Sequence, residues 1–161
     1  MSHDATPMTI DPTLDEGEVA ADYLEELLDI ADLDGDLDIE ERAGRVYLSV
    51  AAEEPDALRT LSKPETVSAL QELTRLAVLA RTGEFSRLIL DIAGSRDARA
   101  EELQRLVNRA VERIEEGASS AALPPMSSYE RKLVHDLVAE RGFTSESEGE
   151  GAERHTVIRR A

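Results

Sequence analysis

Cysteine and tryptophan are absent from the sequence, and its only aromatic residues are three tyrosines and two phenylalanines. The absence of cysteine excludes a disulfide framework and any thiolate ligand for a metal ion. The low aromatic content excludes an extensive platform on which nucleic-acid bases could stack. We expect the aromatic residues to be core or edge residues instead: Tyr23, Tyr47, Phe85, Tyr129 and Phe143.

Long apolar runs and targeting signals are also missing. No stretch approaches the ~20 apolar residues that a membrane-spanning helix requires. The first residues, MSHDATPMTIDPTLDEGE, are acidic and lack the hydrophobic segment of a signal peptide. Together with the absence of cysteine, these features lead us to expect a cytoplasmic protein.

Residue patterns typical of enzymes are scarce as well. The three histidines stand far apart, at positions 3, 135 and 155, and no glycine-rich phosphate loop is present. Residues 32–41, DLDGDLDIEE, resemble a calcium-binding loop with Gly35 at its sixth position, but the first position is then Ile30 instead of a carboxylate. We favour an acidic loop that opens a hairpin, and we expect no catalytic residue, no cofactor and no metal.

Acidic charge is concentrated in the first third of the 161-residue chain. The net charge is −17; residues 1–56 hold 18 acidic residues against two arginines, whereas residues 57–161 hold 17 acidic and 16 basic residues. Because surface charges are largely screened beyond ~10 Å at moderate salt, a distant acidic lobe does not prevent a basic patch elsewhere from binding a polyanion. The second part of the chain therefore remains a candidate for nucleic-acid binding.

Hydrophobic periodicity and turn residues predict two small α+β domains in tandem. After an acidic, disordered tail at residues 1–16, residues 17–94 are predicted to form a helix, a hairpin, a short helix (56–61), a long helix (65–81) and a strand (87–92). Residues 95–161 are predicted to form a helix, a strand, a second helix and a closing hairpin. We expect the inward face of the long helix to consist of Val67, Leu70, Leu73, Ala77 and Ala80.

The helix predicted at residues 126–142, MSSYERKLVHDLVAERG, has its own start and stop signals. Ser127 and Glu130 form a capping-box pattern, and a glycine supplies the left-handed exit. Arg131 and His135 are four residues apart, so their side chains project from one face, one turn apart. A guanidinium beside an imidazole on a rigid helix suits a phosphate oxygen or a nucleotide edge.

The cationic residues of this half also have ordinary structural interpretations. Arg131 could form an ion pair with Glu130 or Glu148, and His135 could be a plain surface residue of the helix. The preceding helix carries three arginines at a spacing of four, which could contact a nucleic-acid backbone. We favour a solvated face on which these arginines pair with neighbouring glutamates: Arg105, Arg109 and Arg113.

Three stretches of the second domain, PMSSYERKLVHDLV, TSESEGEG and RHTVIRR, resemble the R3H domain, whose Arg-x-x-x-His signature corresponds to Arg131 and His135. The first domain, with ALQELTRLA and SRLILDIAG, is similar to the KH domain of the Jag/KhpB family, bacterial proteins that pair a KH with an R3H domain. The resemblance covers about residues 17–161. It implies a KH-like domain of order αββααβ followed by an R3H domain of order α-β-α-β-β.

The resemblance also implies a non-enzymatic function: binding of single-stranded RNA, or of single-stranded DNA as well, by a post-transcriptional regulator or RNA chaperone linked to cell elongation and division. Arg131 and His135 are the first candidates for RNA contact. Weaker electrostatic contacts are expected from Lys132, Arg154, Arg159 and Arg160. The alternative is a protein-interaction adaptor whose KH-like domain docks a second copy or a small KH-domain partner.

One motif of the KH domain is missing. KH domains clamp the nucleic-acid backbone with a Gly-x-x-Gly loop between two helices. The corresponding residues lack both glycines, so the backbone is less accessible to a phosphate, and a proline removes one N–H donor. The residues at these positions are Leu61, Ser62, Lys63 and Pro64. We therefore expect the KH-like domain to keep its fold but to leave most RNA binding to residues 95–161.

Overall fold

The structure, a computed structural model, describes residues 9–54 and 56–161. It divides into two compact units with the boundary between Arg96 and Asp97. Each unit combines helices with one three-stranded sheet, so the predicted α+β fold class is confirmed. The predicted tail lies partly outside the described residues, at positions 1–8. Within the described ranges, no helix is long and apolar enough to cross a membrane.

The sheet of the first unit has a central strand with one antiparallel and one parallel neighbour. The elements of the unit are helix α1 (Glu16–Ile30), strands β1 (Asp36–Arg42) and β2 (Arg45–Ala51), helix α2 (Pro64–Thr82) and strand β3 (Ile89–Ile92). Strand β2 is antiparallel to β1 and parallel to β3. Ala43 and Gly44 connect β1 to β2 with positive φ at both positions, as a type I′ hairpin turn requires. The predicted hairpin is therefore confirmed.

The core of the first unit is built on one face of β2. Val46, Leu48 and Val50 alternate along the strand and are buried together with Leu24 of α1 and Val78 of α2. This alternation is what a strand with one buried face requires.

Helix α2 buries a different face from the predicted one. Leu73 is 47% exposed and Ala80 is also exposed, so the prediction was wrong for these two residues. Two buried threonines of α2 donate their hydroxyl hydrogen bonds to carbonyl groups one turn earlier, which allows them to pack in an apolar environment. The buried residues of the helix are therefore four apart: Leu70, Thr74, Val78 and Thr82.

The short helix predicted at residues 56–61 is replaced by turns. Most of its hydrogen bonds span three residues, as between Leu61 N–H and the Leu58 carbonyl at 3.1 Å; one, from Ser62 N–H to the same carbonyl at 3.0 Å, spans four. Leu58 is buried in the core. A helix of six residues is not stable by itself, and the packing of Leu58 favours the turns. The described part of the first unit therefore has the order α-β-β-α-β, one helix fewer than predicted.

The acidic stretch at residues 32–41 does not form a calcium loop. Most of it lies in strand β1, where side chains alternate between two faces and cannot converge on one ion. The described residues contain no group of three or more histidine, aspartate or glutamate side chains that could hold a metal ion.

Four aromatic residues are at least partly buried, and one is not. Tyr23 and Phe143 pack against the cores of their respective units, but Phe85 is 87% exposed, so its predicted core or edge position was wrong. Helix α2 ends at Gly83, which has φ 77°. In the loop that follows, Ser86 is buried, and its hydroxyl donates a hydrogen bond to the Glu16 carboxylate of α1. Phe85, next to this inward-facing serine, therefore points to solvent.

The second unit has the predicted order α-β-α-β-β. Its elements are helix α3 (Ser95–Glu115), strand β4 (Ser120–Ala122), helix α4 (Ser128–Glu140), and strands β5 (Phe143–Glu148) and β6 (His155–Arg160). Strand β6 is central and antiparallel to both β4 and β5, so β5 is an edge strand. The core of this unit joins side chains from both helices with the central strand: Leu103, Val107, Ile114, Val134, Val138 and Ile158.

Candidate nucleic-acid interface

Helix α4 begins at a complete capping box. The Ser127 hydroxyl accepts a hydrogen bond from Glu130 N–H at 3.2 Å, and the Glu130 carboxylate accepts one from Ser127 N–H at 3.0 Å. Val134 and Val138, on the inner face of the helix, are completely buried. Because capping satisfies the free N–H groups and burial fixes the helix against the sheet, α4 holds its outward side chains in defined positions.

Arg131 is held by neutral acceptors. Its Nη1 donates to the Met126 carbonyl at 2.9 Å, and its Nη2 donates to the Ser128 hydroxyl at 3.2 Å. The side chain is partly buried. These bonds orient the guanidinium without neutralising its charge.

The two glutamates that could have paired with Arg131 are bound to other arginines. Glu130 accepts a hydrogen bond from Arg99 at 2.7 Å, and Glu148 accepts one from Arg159 at 2.9 Å. The hydrogen bond to Glu148 raises the pKa of the Arg159 guanidinium above its ordinary value. Within residues 9–54 and 56–161, Arg131 therefore has no carboxylate partner, and the ion pairs considered from the sequence do not form.

His135 is bound through both nitrogens of its ring. Its Nδ1 lies 2.6 Å from the Ser145 hydroxyl, and its Nε2 lies 3.1 Å from the Ser147 hydroxyl. Both serines belong to β5, two residues apart, so they face α4 from the same side of the strand. The imidazole is partly buried and is therefore not the plain surface residue of the alternative interpretation.

An open concavity of about 760 Å³ lies beside this imidazole. Its lining includes the Arg154 side chain, whose Nη1 donates to the Gly149 carbonyl at 2.9 Å. Like Arg131, Arg154 is oriented by a carbonyl group. The other lining residues belong to α4 and β5: Ala139, Phe143, Thr144, Ser145, Glu146 and Ser147.

The other predicted cations lie in different environments. Lys132 is exposed on α4 and makes no ion pair with the described residues. Arg159 is paired across the strands with Thr144, which places it on the sheet face opposite to the serines, where it also binds Glu146 at 3.2 Å. Arg160 donates to the Ile114 carbonyl at 2.8 Å. The structure thus brings Arg154 beside His135 and separates Arg159 from it.

The arginines on the outer face of α3 do not form the pairs that we expected. Arg105, Arg109 and Arg113 are exposed, but in the part of the chain that the structure describes, the ion pair on this helix joins Arg99 to Glu102. The face is therefore solvated, as expected, while the predicted pairing with neighbouring glutamates was wrong.

Residues 61–64, the positions at which the resemblance to a KH domain implies a loop, lie at the start of α2 in the first unit. Leu61 packs against the core, Lys63 precedes the helix without a side-chain cap, and Pro64 is its first residue. Glu65 then places a carboxylate in the first turn. The proline has no N–H to donate, and the carboxylate repels a phosphate. Both features disfavour anion binding at the start of α2.

Sequence reasoning missed the two serines of the interface. One feature could have pointed to them: along β5, Phe143, Ser145 and Ser147 alternate with exposed residues. This alternation indicates that all three face α4. The alternation shows which face they occupy but does not identify the side chain that they contact.

Comparisons with known proteins identify the domain that contains Arg131 and His135. The R3H domain family matches residues 101–160. The protein named RNA-binding protein KhpB from Bacillus subtilis (strain 168) is 30% identical over 139 residues, which are 84% of this chain and 66% of that protein. Proteins of the same name from Clostridium symbiosum and Streptococcus pneumoniae (serotype 2, strain D39) are 27% and 26% identical, over 86% and 84% of this chain.

These relatives are longer than the chain. It spans just under two thirds of the Bacillus protein, 64% of the Clostridium protein and 42% of the Streptococcus protein. The alignments extend well beyond the R3H domain, because each covers more than four fifths of this chain. The chain is therefore homologous to these proteins over most of its own length.

Proposed function

We propose that this chain is a non-enzymatic protein that binds single-stranded RNA, because it contains an R3H domain at residues 101–160 and is homologous to the proteins named KhpB. The observation that carries the proposal is the Arg131 guanidinium, which is oriented by neutral acceptors and has no carboxylate partner among the described residues. His135 stands one turn further along the same helix, and Arg154 lies beside it at the open concavity.

The energetics favour these cations over the paired arginines of the same unit. A guanidinium that already binds a carboxylate must give up that partner, or share it, before it binds a phosphate. Arg131 and Arg154 bind only neutral groups of the described chain, so a phosphate adds a charge-assisted hydrogen bond without breaking an ion pair. We therefore place the RNA backbone along α4 and β5 and assign Arg159 and Arg160 structural roles.

The proposed interface has little capacity to read a base sequence. The concavity is wide and open, and the one aromatic side chain in its lining, Phe143, is partly buried in the core of the unit. Contacts to phosphates carry no sequence information directly. We propose a cytoplasmic RNA-binding regulator or chaperone of low sequence specificity, in which residues 17–94 are a KH-like domain without a working clamp.

The salt dependence of binding tests this electrostatic interface. Each phosphate contact on a single strand contributes ~0.7 to the log–log slope, so contacts from three or four cations predict a slope of about −2 to −3. The measurement is a fluorescence-anisotropy titration of the full chain with a short unstructured RNA at several salt concentrations. An affinity that does not change with salt would reject the proposal.

A further inference from the structure

We propose that Ser145 and Ser147 are positioning residues: together they hold the His135 imidazole in the orientation in which it contacts RNA. The inference rests on the proposed function of this surface and assigns a role to two residues that contribute no charge. It starts from the pair of hydrogen bonds, at 2.6 Å to Nδ1 and 3.1 Å to Nε2, that occupy both ring nitrogens.

Two bonds on opposite sides of the ring fix its rotation. An imidazole bound at one nitrogen can still pivot about that bond, whereas one bound at both nitrogens cannot turn without breaking a hydrogen bond. The serines are separated by one residue of an extended strand, so their side chains stand ~7 Å apart on one face. This spacing allows them to bracket the ring.

The serines are themselves anchored by the central strand. Ser145 is the cross-strand partner of Ile158, and Ser147 is that of Thr156; both partners are completely buried. Phe143, the preceding residue on the same face of β5, packs against the core. The sheet therefore fixes the two serines, and their hydroxyl groups in turn fix the His135 side chain of α4. A preorganised binding site requires such support.

Hydroxyl groups suit this role whichever protonation state the ring has. A neutral imidazole offers one donor and one acceptor, and a charged imidazole offers two donors. A serine hydroxyl can donate or accept by rotating about its C–O bond, so both serines can keep their bonds in either state. A carboxylate at the same positions could only accept. The pair can therefore keep the ring oriented in either state.

The test compares alanine substitutions of the two serines in two backgrounds, with the full chain and a short unstructured single-stranded RNA. Ordering a mobile side chain on binding costs ~1 kcal/mol, or about fivefold in affinity, so Ser145→Ala and Ser147→Ala, which leave the ring free to pivot before RNA binds, should each weaken binding by about that factor. In a His135→Ala background the same substitutions should have no further effect, because the side chain that they position is absent. An equal loss in both backgrounds, or no loss in either, would overturn the proposal.

Two further variants separate positioning from general damage to the strand. Ser145→Thr with Ser147→Thr keeps both hydroxyls and should retain wild-type affinity. Ser120→Ala removes an exposed hydroxyl from β4, which β6 separates from β5, and should also bind normally. In the free protein, imidazole ¹⁵N spectra should change in Ser145→Ala and in Ser147→Ala and not in Ser120→Ala; unchanged spectra would contradict the bracketing of the ring.

The results distinguish this inference from the proposed function. If wild type binds RNA and Arg131→Ala weakens binding while the serine variants bind normally, the function stands and the positioning role is wrong. If wild type does not bind single-stranded RNA, both are wrong.

Discussion

Replacing Arg131 and His135 together by alanine is expected to weaken RNA binding about 100-fold while leaving the fold unchanged. A hydrogen bond to a charged group contributes ~1.5–3 kcal/mol, and two such bonds from the N–H groups that Arg131 does not use within the chain exceed the ~2.8 kcal/mol that corresponds to a factor of 100. The fold should persist because Val134 and Val138 carry the packing of α4 and remain in place. Anisotropy titrations at low salt measure the loss, and circular dichroism checks the helix content.

Two single variants serve as matched controls for this loss of charge. Arg109→Ala removes an exposed arginine from the outer face of α3, and Lys63→Ala removes an exposed cation just before α2. Each should change affinity by less than about threefold, because neither residue belongs to the proposed interface on α4 and β5. A loss in Arg109→Ala as large as in the double variant would move the interface to α3. Unchanged binding by the double variant would contradict the proposed interface.

Replacing Ile158 by alanine is expected to destabilise the second unit by about 2–5 kcal/mol, the usual cost of removing most of a buried aliphatic side chain. Ile158 is completely buried on the central strand β6, where it belongs to the core shared with α3 and α4. This cost is a large share of the ~5–15 kcal/mol that stabilises a typical domain. RNA binding should fall with the population of folded second unit.

Hydrogen exchange of the full chain can assign this destabilisation to one unit. Amides of residues 97–161 should lose protection in Ile158→Ala, while those of residues 9–54 and 56–96 should not, since the two units have separate cores. Ile158→Val is the matched control and should cost about 0.5–1.5 kcal/mol. Equal loss of protection throughout the chain would show that the two units unfold together.

The second unit was predicted better than the first, for a physical reason. Its elements are marked by local signals, such as the capping box at Ser127 and Glu130, which act within one turn of the chain. The face that α2 buries depends instead on packing against the sheet, and two threonines that bond to their own helix pack in place of Leu73 and Ala80. A pattern that counts only apolar residues cannot anticipate this exchange.

The candidate interface shows the same limit. The spacing of Arg131 and His135 follows from the helix alone, so the sequence was sufficient to place them together. The roles of Ser145 and Arg159 depend on the register between β5 and β6, which puts the serine toward α4 and the arginine on the opposite face. Strand register is a tertiary property, and side-chain alternation along one strand does not determine it.

The proposed interface can be located by an NMR titration of the full chain with a short single-stranded RNA. The amide signals that shift most should belong to residues 128–147 and to Arg154, and those at the start of α2, residues 61–66, should stay in place. Shifts concentrated at residues 61–66, or no shifts at saturating RNA, would contradict this interface.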